Sequence, residues 1–311
     1  VSFSNVISRT KDQALVPEVI SNDILKGLQN ESVAMQLFRR IPMSTNQTRM
    51  PVLSALPTAY FINGDTGIKQ TTETAWTNKY LNVEELAAII PIPENVLDDT
   101  KYDVWGAIKP LIEEAIARAL DAAILFGVNK PASWPVEIVT AAVSAGNVAT
   151  RGTRTAAQGG LAGDISDLFA TVEADGYDVS GIVANRTFRG LLRSVRSTQG
   201  MLLPEVGTTD AYGEKITYPM RGLWPTGSGA AEMVVGDFTQ GILGTRTDIT
   251  YKLLDQAVIQ DNTGAIQFNL AQQDMVAMRV TMRIAYQVAN TLNYDQPTEA
   301  NRYPFGVMHA P

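Results

Sequence analysis

Between Val276 and Val288, apolar residues take every second position: Val276, Met278, Val280, Met282, Ile284, Tyr286 and Val288, with Arg279, Thr281, Arg283 and Gln287 among those between them. A period of two predicts one long β-strand with a single buried face. The period changes to that of a helix from about Tyr102 to Phe126. There Ile108, Leu111, Ile112, Ala115, Ile116, Ala119, Leu120, Ala123 and Ile124 form one stripe, Glu114 and Arg118 make an i, i+4 pair, and Gly127 ends the run. At 1.5 Å per residue this spine is about 35 Å long. Shorter helices are predicted from Pro17 (Ile20, Ile24 and Leu28 on one face), and from a cap at Asn30 or Ser32, with Val33, Leu37, Phe38 and Ile41 inward and Arg39-Arg40 at its end. Two more are predicted: one capped by Asp164 with Ile165, Leu168, Phe169 and Val172 inward, stopping at Gly176, and one through Phe188, Leu191 and Leu192. Strands are expected at 180–184, 215–218, 232–238 and 247–254, and Asp261-Asn-Thr-Gly264 reads as a hairpin turn.

Residues 42–83 break both periods. Pro42, Pro51 and Pro57 forbid a helix, Asn63-Gly-Asp-Thr-Gly67 is a turn, and a Thr-rich run reaches Lys79 before strand character resumes at Leu81 and continues to Pro93. The segment reads as a two-stranded excursion, and about 40 residues is too long for an ordinary connection. Its charges alternate in sign: Arg49, Asp65, Lys69, Glu73 and Lys79. A protruding ribbon with such residues is expected to meet a partner. The first 16 residues, polar and without period, read as an arm; 130–160 reads as loop or weak strand, and 196–230 as turns with short strands.

Charge and composition then narrow the chemistry. Thirty-two acidic against 25 basic residues give −7, an unfavourable balance for a free-standing nucleic-acid binder. With no cysteine there is no disulfide, thiolate nucleophile or cysteine metal site, and the single histidine, His309, is the third residue from the end of the sequence, where rigid placement is not expected. The carboxylate pairs Glu84-Glu85, Asp98-Asp99 and Glu113-Glu114 read as solvated surface rather than an acid–base pair, since sequence neighbours point to different faces. Phosphate-cradle and nucleophile-elbow patterns are missing. Trp76, Trp105, Trp134 and Trp224 are expected in the core or at interfaces. No export signal or membrane span is visible, so a soluble protein made in a cytoplasm is expected, with no enzymatic activity, cofactor or metal.

The order of these parts resembles the major capsid proteins of tailed bacteriophages, the Hong Kong 97-type α+β fold. The resemblance rests on Pro51-Val-Leu-Ser-Ala-Leu-Pro-Thr-Ala-Tyr60, Glu84-Glu-Leu-Ala-Ala-Ile-Ile-Pro-Ile-Pro93, Phe126-Gly-Val-Asn-Lys-Pro-Ala-Ser-Trp-Pro135, Gly236 to Thr250 and the long strand Phe268 to Val288. It implies an N-terminal arm (1–29), an extended loop (46–83), a peripheral domain (30–45, 84–127 and 242–283, with a three-fold loop near 255–266) and an axial domain (128–241 and 284–311). It further implies pentamers and hexamers in an icosahedral shell around double-stranded DNA, located in the virion and assembled in the host cytoplasm. Scaffolding, portal and decoration proteins are the implied partners, with scaffolding either separate or already removed. Arg49, Asp65, Lys69, Glu73, Lys79, Asp261 and Asn262 are the subunit-interface candidates. Some relatives weld their shells by joining a loop lysine to an asparagine beside a buried glutamate. Here Asp274 and Thr281 fall where the asparagine and glutamate belong, and no glutamate occurs between Glu232 and Glu299, so a shell without covalent cross-links is expected. An encapsulin-type compartment shares the fold and is the alternative reading; a carboxylate-based enzyme is the second.

Overall fold

The computed structural model describes residues 32–311 apart from 60, 62–68, 70, 96–103, 197–200, 202, 204, 220, 221 and 262. The arm and the helix from Pro17, the turn at 63–67 with Asp65, Asp98-Asp99 and Asn262 lie outside these residues.

The predicted long strand is β12 (Met275–Val288), and it stands at the middle of a five-stranded sheet. The strands in order are β1 (Arg39–Pro42), β9 (Gly241–Leu254), β12, β3 (Ala75–Pro93) and β2 (Gln47–Ala55). All neighbours are antiparallel except β1 and β9. Strand β3 starts at Ala75, six residues earlier than the return of apolar character at Leu81. Its first half has β2 to pair with, so its polar residues are held by the ladder rather than by burial.

Met278, Val280, Met282, Ile284, Tyr286 and Val288 enter the same core as the spine helix α2 (Val104–Phe126). Its buried arc is turned relative to the predicted stripe. Ile112, Ile116, Ala117, Leu120, Asp121 and Ile124 are buried, whereas Leu111, Ala115 and Ala119 are exposed. The cause is a second covering element, α1 (Val33–Leu37), packed on α2 and capped by Ser32. Helix α1 is shorter than expected and does not carry Arg39-Arg40. Phe38 turns extended, placing its ring 5.9 Å from those of Phe238 and Tyr286, and the following residues pair with β9 as β1.

A six-stranded sheet forms the other half: β4 (Val148–Thr150), β13 (Phe305–His309), β8 (Ala231–Gly236), β5 (Gly181–Ala184), β7 (Glu214–Thr217) and β6 (Asp210–Ala211), in that order. Two elements were not expected here. Ile138–Ala145 is a helix, α3, within the segment read as loop, closed by Gly146 at φ +91°. Its Ile138, Ala142 and Ala145 spacing is a helical signal diluted by the surrounding small residues. Strand β13 places His309 in the sheet, its Nδ1 2.7 Å from the Gly229 carbonyl oxygen, so this histidine is held after all.

Helix α4 (Leu161–Ala174) buries Ile165, Leu168, Phe169 and Val172 against this sheet, and Gly176 follows its end at φ +76°. Asp164 lies in its first turn and is not its cap, which is Gly160. The Asp164 carboxylate instead accepts hydrogen bonds from the Gly152 and Arg154 amides at 2.7 and 2.8 Å. Helix α5 (Phe188–Ser194) lies in the same core through Phe188 and Leu192.

The chain crosses between the sheets at two adjacent places, Gln240–Gly241 and Val288–Asn290, tied by the Ala289 amide donating to the Gln240 carbonyl at 2.8 Å. Asn290, at φ +45°, accepts from the Tyr177 hydroxyl at 2.8 Å and donates to the Arg302 carbonyl at 3.0 Å. Asp175 accepts from Asn147 Nδ2 and the Tyr303 amide at 2.7 and 2.9 Å. Buried polar groups satisfied in this way specify one arrangement of the joint.

Candidate subunit interface

Strands β2 and β3 extend as a ribbon because proline and alternating residues allow nothing else, and their register decides what each face shows. One face, with Met50 and Leu81, packs against Met43, Ile242 and Ala285 of the body. The other carries the cross-strand pairs Arg49 with Tyr80 and Leu53 with Trp76. Trp76 is 65% exposed and Tyr80 44% exposed, and Phe61 further along is fully exposed. Aromatic and arginine side chains of this kind are the usual anchors of protein interfaces. Of the four tryptophans, Trp134 and Trp224 are core residues, their indoles donating to the Asn82 and Ala231 carbonyls.

The stem of the ribbon is tied to the body. Lys79 Nζ lies 3.1 Å from Glu299 Oε1 and donates to the Val288 carbonyl at 3.4 Å. Tyr294 donates its hydroxyl proton to the Pro57 carbonyl at 2.8 Å, and Gln287 Nε2 donates to the Tyr80 carbonyl at 3.0 Å. Lys69 and Glu73 are exposed near the distal part. Asp261 is elsewhere, on the hairpin of β10 (Val258–Gln260) and β11 (Ile266–Asn269). Its carboxylate accepts from the Thr263 hydroxyl at 2.7 Å, the Thr263 amide at 2.8 Å and the Ala265 amide at 3.0 Å, which hold its pKa down at about 2. Asp261 therefore shapes its own turn. The structure does not gather the sequence-predicted residues: Arg49 and Lys79 share the stem but face opposite ways, and Asp261 belongs to a separate projection.

Sequence reasoning missed Tyr80, Phe61 and Tyr294, although alternation within β2 and β3 would have placed Tyr80 with Trp76. It also missed Asp121, a fully buried carboxylate on the spine helix. Asp121 accepts from the Ser32 hydroxyl at 2.7 Å and from the Val33 and Ala34 amides at 2.9 and 3.1 Å, so it closes the N-terminus of α1. Burial raises its pKa to about 6, against the lowering effect of those hydrogen bonds. Of the carboxylates read as surface, Glu84 accepts from Ser133 Oγ at 2.5 Å, and Glu114 pairs with Arg118 at 3.0 Å as the spacing predicted. Among the described residues, no three acidic or histidine side chains form a metal-binding group, and no helix is long and apolar enough to cross a membrane.

With ribbon, spine, two sheets and separate hairpin in place, comparison with known proteins is decisive. The model of the phage capsid family matches residues 12–292. The chain belongs to that family. Its fold is the Hong Kong 97-type α+β fold of tailed-phage capsids. A solved structure from Microbacterium phage Oxtober96 is 36% identical and superposes with a TM-score of 0.80, covering 90% of this chain and 91% of that one. One from Mycobacterium phage Cain is 30% identical over 99% of each chain, with a TM-score of 0.79. The major capsid protein of Staphylococcus phage 80alpha is 25% identical over 92% of this chain and 85% of its own length.

Proposed function

We propose that this chain is the major capsid protein of a tailed bacteriophage, and that its copies form pentamers and hexamers closing an icosahedral shell around double-stranded DNA. The observation that carries this reading is the match over 99% of both chains to the Mycobacterium phage Cain structure. In this reading 1–29 is the arm, 46–83 the extended loop, 30–45, 84–127 and 242–283 the peripheral domain, and 128–241 with 284–311 the axial domain. The passage of the chain between two sheets near 241 and 288 supports that division. Virion location follows from the role; assembly in the host cytoplasm and scaffolding, portal and decoration partners belong to the same proposal. So do the contact roles of Arg49, Asp65, Lys69, Glu73, Lys79, Asp261 and Asn262, and the absence of catalysis.

The shell is proposed to be held without covalent cross-links. Lys79 already has an exposed carboxylate partner in Glu299, and Thr281 Oγ1 lies 2.6 Å from Thr250 Oγ1, with no acid hydrogen-bonded to it among the described residues. A lysine can attack an amide only after losing its proton to a base, which is best provided by a buried carboxylate. Electron microscopy of the chain expressed alone, followed by extraction of nucleic acid from native particles, tests the proposal. Closed shells with double-stranded DNA are expected. Enclosed protein cargo without DNA would favour the encapsulin alternative, and no shells under any condition would refute the reading.

A further inference from the structure

Around α5, arginines recur at spacings of three, four and three residues: Arg186, Arg189, Arg193 and Arg196. This is the spacing of one helix face, and all four are exposed while Phe188 and Leu192 of the same segment are buried. Their contacts are with neutral groups. Arg189 lies over the Tyr218 ring at 4.6 Å, Arg186 Nε donates to the Pro219 carbonyl at 3.1 Å, and Arg196 Nη1 donates to the Arg193 and Val195 carbonyls at 2.8 Å. Among the described residues no carboxylate is in ion-pair contact with any of them. Elsewhere Arg118, Arg151 and Arg154 each have one, at 3.0, 2.6 and 2.6 Å. The neutral contacts steady three of the guanidinium groups and, among the described residues, occupy only some of their five N–H donors.

We propose that this arginine row is an intersubunit surface that receives carboxylates of a neighbouring copy of the same chain. The proposal rests on the shell reading. A ring of identical subunits uses two different patches per copy, one complementary to the other. Copies carrying −7 each repel one another, so close packing needs local regions of opposite sign. Taking four positive charges out of a net −7 leaves −11 on the rest of the chain, so a neighbour has acidic groups in excess. The planar guanidinium fork suits paired hydrogen bonds to a carboxylate. Phosphates of enclosed nucleic acid are the competing partner, but a chain otherwise so acidic repels a polyanion over most of its surface.

The test is modification of arginines by an aryl dicarbonyl reagent, mapped by mass spectrometry on dissociated subunits, nucleic-acid-free particles and filled particles. At least severalfold slower modification of Arg189 and Arg193 is expected in both kinds of particle relative to subunits. Equal reactivity in particles and subunits would overturn the proposal, as would protection confined to filled particles, which would assign the row to phosphate. In parallel, the double variant Arg189→Glu, Arg193→Glu should keep the subunit's circular dichroism and form no closed shells at about 0.1 M salt. Normal shells from it would also count against the row. If the variant misfolds, the wild-type protection pattern decides. Absence of wild-type particles would instead refute the shell reading and this proposal with it.

Discussion

Asp121 shows how one residue joins distant parts of the chain. Its carboxylate lies 2.7 Å from Ser32 Oγ, across 89 residues of sequence, and occupies the amides at the start of α1. Because burial raises its pKa to about 6, the folded state disfavours the ionised form. The resulting contribution to stability is fully present below the ordinary carboxylate value of about 4 and is lost as pH rises through about 6. Denaturant unfolding of the dissociated subunit should therefore show this loss between about pH 4 and pH 7, and Asp121→Asn should flatten it. Asp121→Ala leaves the Val33 and Ala34 amides unpaired and should cost about 1–3 kcal/mol, more at low pH than at neutral pH because only the wild type carries the pH-dependent contribution, read from the same titrations. Gly236 gives a second prediction. It has φ +155°, and a Cβ there would collide with the Pro304 carbonyl oxygen inside the sheet, where backbone cannot yield. Gly236→Ala should destabilise by about 1–3 kcal/mol, seen as a lower thermal midpoint.

At the level of elements, the ribbon and the spine behave differently. The ribbon's outward face buries little in the single chain, so Trp76→Ala should leave subunit unfolding within about 0.5 kcal/mol of wild type. The same substitution should reduce the yield of closed particles measured by sedimentation. Deleting 62–78 should likewise leave a folded subunit that forms no closed particles; normal particles from that deletion would contradict an assembly role for the ribbon. Legibility follows the same division. The helix ending at Phe126 and the strand ending at Val288 were readable because each repeats its period many times against one covering surface. Helix α3, about four turns shorter than the spine and rich in Ala and Val, was not, since few residues carry its period. The rotation of the spine's buried arc was equally hidden, because α1 covers it from another part of the chain.

For the whole molecule, the shell proposal predicts a simple denatured state. Mature particles boiled in denaturant should run as one band near 33.7 kDa, the mass of the chain. A ladder at pentamer and hexamer sizes would mean that a lysine has found both an acceptor and a base that Asp274 and Thr281 do not provide. Local information determined a good deal of this protein: the long elements, the projecting ribbon, the acidic balance, the lack of cysteine, and the order of parts that resembles phage capsids. These features depend on residue type and spacing along the chain, which survive without knowledge of neighbours. Tertiary structure alone decided that β1 pairs with β9, that β13 enters the second sheet and fixes His309, and that Asp121 caps a helix begun 88 residues earlier. It also decided which arginines find carboxylates and which do not. Such contacts join residues far apart in sequence, and their strength comes from burial and geometry that exist only once the chain has folded.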